Sequence, residues 1–297
     1  SIHGHFHEQG PIKAVRTGEK ISLGESELVF VEAPMLHWPD SMFSYVEADR
    51  LLLCQDAFGM HLASSQRFAD ELPEDILHRE AAKYFANILM PFAPLVTRLL
   101  GTVEDLGLDI DVLAPDHGPI YRGQGVGRII DRYAEWSALE PTTKAVVVYD
   151  TMWQSTALMA RAVIEGLVQG GASPVQLMPL SSKHRSDVAT EVLDAGALVL
   201  GSPTMNNNLF PTMADILVYL EGLRPRHLVG AAFGSYGWSG EAVKRMEESL
   251  DRMRIDRVAD SVKVKYVPDD EALDACRQLG LAVAEALCGR CAAALES

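Results

Sequence analysis

The sequence predicts an α/β protein of two domains, the second built on a five-stranded doubly wound parallel sheet. Three observations carry this reading. At 297 residues the chain is long enough for two hydrophobic cores. From Lys144 onward, short β-branched runs alternate strictly with segments of helical periodicity, the signature of a parallel sheet with helical crossovers. Before that point strands come first and longer helices follow, with Glu140-Pro141-Thr142-Thr143 as the joint. The expected domains are residues 1–140 and 141–297.

In the first half, Ile21 to Gly24 and Glu27 to Glu32 read as strands, and Met42 to Tyr45 with Leu51 to Cys54 as a hairpin pair. Ile76, Leu77, Tyr84, Phe85, Ile88 and Leu89 share a face at helical spacing, which predicts a helix from Pro73 to Leu89. Pro91 and Pro94 interrupt it, and the pattern resumes from Leu95 to Leu106. A short strand ends at Leu113-Ala114-Pro115, and Arg128 to Leu139 reads as a helix. In the second half the expected strands are Ala145 to Tyr149, Pro174 to Pro179, Ala197 to Leu200, His227 to Ala232 and Val262 to Val267. The helices between them begin near Thr156, Ser186, Pro211, Gly240 and Asp269.

Composition narrows the function. Twenty-six basic against 41 acidic residues leave a formal charge of -15, which argues against nucleic-acid or polybasic membrane partners. No uninterrupted apolar run approaches the roughly 20 residues of a membrane span, and no signal-peptide pattern opens the chain, so a cytoplasmic location is expected. Cys54, Cys276, Cys288 and Cys291 are too few for a disulfide framework. Cys288 and Cys291 form a C-x-x-C without a second pair, and are read as free helical thiols.

The turn Asp150-Thr151-Met152-Trp153-Gln154-Ser155-Thr156 joins the strand ending at Tyr149 to a helix carrying Ala160, Val163, Ile164 and Leu167. A helix N-terminus with hydroxyl donors at Thr151, Ser155 and Thr156 suits a phosphate. Neither G-x-x-x-x-G-K-[ST] nor G-x-G-x-x-G is present, so the turn reads as a cradle for a flavin mononucleotide (FMN) phosphate. Two further loops leave the same edge of such a sheet: Gly201 to Pro211, rich in asparagine, and Phe233 to Gly240, where Tyr236 or Trp238 offers a stacking surface.

These strings, T-x-x-x-S-T, S-P-T-x-N and G-x-Y-G-W-x-G, resemble the flavodoxin family from Lys144 to about Arg290. The resemblance implies that Thr151, Met152, Trp153, Gln154, Ser155 and Thr156 hold the phosphate. It also implies that Pro203, Thr204 and Asn206 border the isoalloxazine, and that Ser235, Tyr236, Gly237 and Trp238 close over it. Gln154 stands where many flavodoxin turns carry a glycine-type residue.

Three strings in the first half place a potential ligand after an apolar strand: A-P-M-L-H-W-P-D-S-M-F around His37, Q-D-A-F-G around Asp56 and A-P-D-H-G-P-I around His117. Ahead of a flavodoxin-like domain they resemble the flavodiiron proteins, in which a metallo-β-lactamase-like αββα sandwich precedes flavodoxin. By that resemblance His37 is a ligand of one iron, Asp56 bridges two iron ions and His117 binds the other. These same three residues would be catalytic. The family's H-x-E-x-D-H string is absent, so the first domain is expected to be partial, with the remaining ligands preceding Ser1 and poor di-iron occupancy in this chain. His3, His5 and His7 are read as surface residues, and His61 and Tyr84 as structural neighbours of the site.

The resemblance implies an oxidoreductase that takes electrons from rubredoxin or a similar donor through FMN to iron, reducing dioxygen to water, nitric oxide to nitrous oxide, or both. It also implies a head-to-tail homodimer. Zinc has no accessible redox state, so a flavin beside this donor set favours iron. Two alternatives compete. One is an FMN electron carrier whose first half is metal-free and only structural; the other is a zinc hydrolase with an appended flavodoxin.

Overall fold

The computed structural model describes Gly4, His5, His7 and residues 10–296. The chain divides into two compact units, Ser1–Ala138 and Leu139–Ser297. His3 lies outside the described residues, while His5 and His7 are exposed.

The first unit is a six-stranded mixed sheet in sequence order: β1 (Lys20–Ser22), β2 (Glu27–Glu32), β3 (Met42–Val46), β4 (Leu51–Gln55), β5 (Val112–Pro115) and β6 (Tyr121–Arg122). β1 to β4 form an antiparallel meander; β4 and β5 are parallel, with Gln55 opposite Pro115. The crossover between them carries α1 (Glu74–Tyr84) and α2 (Ala93–Asp105), and α3 (Gln124–Ala138) follows β6. A π-type turn at Phe85–Leu89 and a 3-10 turn at Met90–Phe92 separate α1 from α2 where Pro91 withdraws a backbone donor.

Contrary to the expectation from uninterrupted runs, Glu74–Asp105 is long and apolar enough to cross a membrane by length and composition alone. Its buried Tyr84, Phe85, Leu89, Met90, Val96 and Leu99 instead serve the core of this unit. Phe85 stacks edge-on against the fully buried Tyr133 of α3, and Thr97 donates to Ser137 across the α2–α3 contact at 3.1 Å.

The second unit contains β7 (Ala145–Tyr149), β8 (Val175–Pro179), β9 (Ala197–Gly201), β10 (Val229–Tyr236), β11 (Asp256–Arg257) and β12 (Val262–Lys265). All its pairs are parallel, in the order β8-β7-β9-β10, with β11 and β12 both paired to β10. β7, β9 and β10 are buried almost throughout, as helices on both faces of a parallel sheet require. The helices are α4 (Ser155–Gln169), α5 (Arg185–Val192), α6 (Pro211–Leu223), α7 (Glu241–Arg252) and α8 (Asp270–Glu296).

The second sheet differs in detail from the sequence reading. β11 adds a short edge strand, and β10 runs on through Ser235 and Tyr236, residues expected in a loop. Pairing with β12, Phe233 opposite Val262 through Tyr236 opposite Lys265, holds them extended. In the stretch read as the joint, Thr142 Oγ1 donates to the Asp194 carbonyl and Thr143 Oγ1 to that of Ser173.

α4 and α8 pack through glycines. A methyl group on Gly280 would fall on the Val163 carbonyl oxygen, and one on Gly166 on that of Arg277, each far inside van der Waals contact. Replacing a helical glycine by alanine normally gains about 1 kcal/mol. Here backbone obstructs the methyl group, so the sign reverses: Gly280→Ala is expected to lower denaturant stability of this unit by about 1–3 kcal/mol.

Burial pushes the Cys276 thiol up to about 12. The unfolded thiol ionises near its ordinary value of about 8.5, so above that pH the unfolded state has lost a proton that the native state keeps. Its contribution is therefore whole below about 8.5 and declines as pH rises toward the folded value. Denaturant unfolding of wild type and Cys276→Ala across the alkaline range should show a steeper loss in wild type.

Candidate functional site

In the first unit β2, β4 and β5 run in one direction, so the turns after them leave from one edge. Those turns carry His37, Asp56 and His117. The structure brings the three together, with His37 Nε2 3.7 Å from Asp56 Oδ2 and His117 Nε2 3.2 Å from Asp56 Oδ1. Each imidazole faces a different oxygen of the carboxylate. The carboxylate and the two imidazoles could hold metal here, each imidazole beside its own carboxylate oxygen. The trio does not converge on one point, and among the described residues no group of three or more His, Cys, Asp or Glu side chains forms a single-ion shell.

The surroundings orient His117. Its Nδ1 lies 3.3 Å from the Met60 carbonyl, which only accepts, so this contact calls for a proton on Nδ1 and leaves Nε2 as the nitrogen a metal could take. Nε2 faces Asp56 Oδ1 at 3.2 Å, so an imidazole nitrogen and a carboxylate oxygen, both ordinary metal donors, lie side by side. The donor chemistry therefore fits a metal. Tyr84 supplies a proton nearby, its hydroxyl 3.4 Å from Nε2. Burial, reinforced by the Asp56 and Asp116 charges, raises the Tyr84 phenol far above its ordinary range and keeps it a donor. His61, an exposed residue, packs its ring 5.1 Å from that of His117 and 5.0 Å from Tyr84. Buried Cys54 donates to the Ala57 carbonyl at 3.1 Å and steadies the Asp56 turn.

In the second unit β7, β9 and β10 are parallel neighbours, which places the turn after each at the same edge. Gln154 precedes α4 with φ of +71°, turning the backbone into the helix, whose first ordinary bond runs from Leu158 N to the Gln154 carbonyl at 2.9 Å. The helical amides before it project into the turn. Among the described residues Thr151 Oγ1 is buried without a hydrogen-bond partner, an orphan donor that a bound phosphate would satisfy. This cradle fits FMN. Asp150, buried, secures it by accepting from Thr151 N at 2.7 Å and from the Thr212 hydroxyl.

Thr156 is fully buried, and its hydroxyl bonds that of Ser235 at 2.9 Å, joining the first loop to the third. Thr204 bridges the second and third: its N donates to the Ser235 carbonyl at 2.8 Å and its hydroxyl accepts from Ala242 N at 3.3 Å. Pro203 is buried beside it, while Asn206 and Asn207 take left-handed backbone in the exposed tip of that loop. A Cβ added at Gly240 would lie 3.3 Å from the Tyr236 ring, and one at Gly237 would lie 3.8 Å from the Tyr266 ring. Trp153 and Trp238 are each 84% exposed and Met152 is 41% exposed, so these apolar side chains stand free at the rim.

Sequence reasoning missed Thr212 and did not assign Asp150 a role. Thr212 sits inside an ordinary helix start, 62 residues from the carboxylate it meets, so no local pattern marks it. Gly59 was also passed over. A Cβ there would lie 2.9 Å from both His117 Cε1 and the His117 carbonyl. Gly59→Ala is expected to displace the His117 imidazole, seen as a changed ring-proton NMR shift, and to destabilise this unit by about 1–3 kcal/mol. Gly101→Ala, with open space around the position, should leave that shift unchanged.

Comparison with known proteins agrees with both halves. A family model described as ODP family beta lactamase matches residues 2–118, and one described as flavodoxin matches residues 147–280. A nitric oxide reductase of Moorella thermoacetica is 48% identical over 286 residues, covering 96% of this chain and 71% of that protein. A rubredoxin-oxygen oxidoreductase of Megalodesulfovibrio gigas is 40% identical over 295 residues, covering 99% of this chain and 73% of that protein. Among solved structures, the rubredoxin oxygen:oxidoreductase of Desulfovibrio gigas superposes with a TM-score of 0.94 at 40% identity, over 98% of this chain and 73% of that one. The flavodiiron protein of Giardia intestinalis gives 0.87 at 30% identity, over 93% and 68%. With a lactamase-like unit bearing His37, Asp56 and His117 and a flavodoxin-like unit bearing the phosphate cradle, the chain belongs to the flavodiiron protein family.

Proposed function

We propose that the protein is an oxidoreductase passing electrons from rubredoxin or a similar donor, through FMN, to a di-iron centre that reduces dioxygen to water, nitric oxide to nitrous oxide, or both. The observation that carries this reading is the Asp56 carboxylate between the imidazoles of His37 and His117. The names of the relatives, a nitric oxide reductase, a rubredoxin-oxygen oxidoreductase and flavorubredoxins, support it and do not favour a metal-free electron carrier. When bound, FMN and iron supply the redox chemistry that the amino acids lack.

In this reading His37, Asp56 and His117 would hold the iron, with the Asp56 carboxylate between the two imidazoles. The Met60 carbonyl fixes the His117 tautomer, and the Tyr84 hydroxyl holds a proton beside Nε2. Thr151, Met152, Trp153, Gln154, Ser155 and Thr156 form the phosphate turn. Pro203, Thr204 and Asn206 border the ring, while Ser235, Tyr236, Gly237 and Trp238 cover it. The chain acts in the cytoplasm as a head-to-tail homodimer, and its four free thiols suit a reducing compartment.

Metal and flavin should separate by mutation in the protein carrying this chain. Asp56→Asn is expected to cut bound iron and donor-driven gas consumption by about tenfold or more while FMN content stays at the wild-type level. Replacing Ser155 and Thr156 by leucine should abolish FMN retention and gas consumption but leave bound metal. A wild-type protein that binds FMN, contains no iron and consumes neither gas would favour the electron carrier instead.

A further inference from the structure

The second unit has a basic cavity at the sheet edge opposite the flavin loops. It sits where Arg224-Pro225-Arg226-His227 leads into β10 at Val229, whereas the flavin loops follow the other ends of β7, β9 and β10. Its volume is about 530 Å³, and Glu221, Arg224, Arg226, His227, Arg252 and Arg254 line it. Pro225 and Met253 are buried at its base. A cavity of this size is ordinary for a small-molecule site. Four arginines around one hollow are unusual in a chain of formal charge -15.

Neighbouring carboxylates do not neutralise the cluster. Glu221 is held by Arg252 at 2.8 Å, Asp251 by Arg257 at 2.9 Å, and Asp256 by Arg290. Arg224, Arg226 and Arg254 are exposed and have no ion-pair or side-chain hydrogen-bond partner among the described residues. A plainer account is that arginines near the ends of α6 and α7 balance the helix dipoles. Each helix end carries about half a negative charge, so two ends offset about one of the three unpaired charges. Roughly two positive charges remain.

The backbone adds to this. Arg224 closes α6 with φ of +55°, His227 has φ of +61°, and Arg254 follows α7 with φ of +60°. Left-handed positions after a helix are usually given to glycine or asparagine. Here all three residues line one hollow.

We propose that this cavity binds a phosphate ester of nucleotide size. A dianionic phosphate matches the residual charge, and the planar guanidinium fork matches its oxygens two at a time. The concave shape favours a small ligand over an acidic protein, which would need a broader contact area.

The test uses FMN-saturated protein, so that the flavin cradle is occupied, and ADP as the probe in titration calorimetry. Binding is expected, with inorganic phosphate competing, no release of flavin fluorescence and weakening by salt. Arg224→Ala with Arg254→Ala should raise the ADP dissociation constant by about tenfold or more at unchanged FMN content. Arg226→Glu, at a position without left-handed backbone, should do the same and guards against a folding defect. No ADP binding to wild type, equal affinity in folded variants, or displacement of FMN by ADP would overturn the proposal. Poly-glutamate binding more tightly than ADP would also overturn it, in favour of an acidic protein surface.

Discussion

Parallel strand pairing is the constraint on which both candidate sites depend. When two strands run the same way, the residues that follow them emerge at one edge however far apart they lie in sequence. Gln55 opposite Pro115 sets Asp56 and His117 side by side across 61 residues, and the meander from β2 to β4 returns His37 to the same edge. The same rule in the second unit gathers the turns after β7, β9 and β10, letting the Thr156 hydroxyl meet that of Ser235 across 79 residues. The geometry of function follows from register.

Fixing a register requires a core that tolerates no slippage. In the second unit the three central strands are buried on both faces, and Val147, Val199, Ala231 and Phe233 pack with Leu279 and Val283 of α8. α8 approaches α4 closely only because Gly166 and Gly280 offer no side chain. In the first unit Gly59 plays a comparable part at shorter range, giving the His117 ring room beside the Asp56 turn. Small residues therefore act on the sites indirectly, by setting how near two pieces of backbone come.

Charge is distributed with similar economy. The acidic chain keeps its buried carboxylate at Asp150 by surrounding it with Thr151 N and the Thr212 hydroxyl, so that the phosphate turn is held by charge-assisted hydrogen bonds. Asp56 is instead left facing two imidazoles, a balance that favours a cation. The arginine hollow inverts the overall charge locally, on the opposite edge of the second sheet from the turn after β7.

Much of this was legible in the chain itself. Alternation of β-branched runs with helical periodicity marked the five main strands of the second unit, because a parallel sheet buried on both faces demands such runs. The side-chain types at His37, Asp56 and His117, and the hydroxyls of the turn after β7, are fixed by identity and local sequence. The contacts that make these residues a site are not local. Tyr84 meets His117 from a helix 33 residues away, Thr212 reaches Asp150 from 62, and β10 lengthens through Tyr236 only because β12 pairs with it. Arg224, Arg226 and Arg254 read in sequence as scattered surface charges at two helix ends. Only the folded chain brings those ends together, since propensity and periodicity act over a few residues whereas strand pairing and helix packing act across the whole unit.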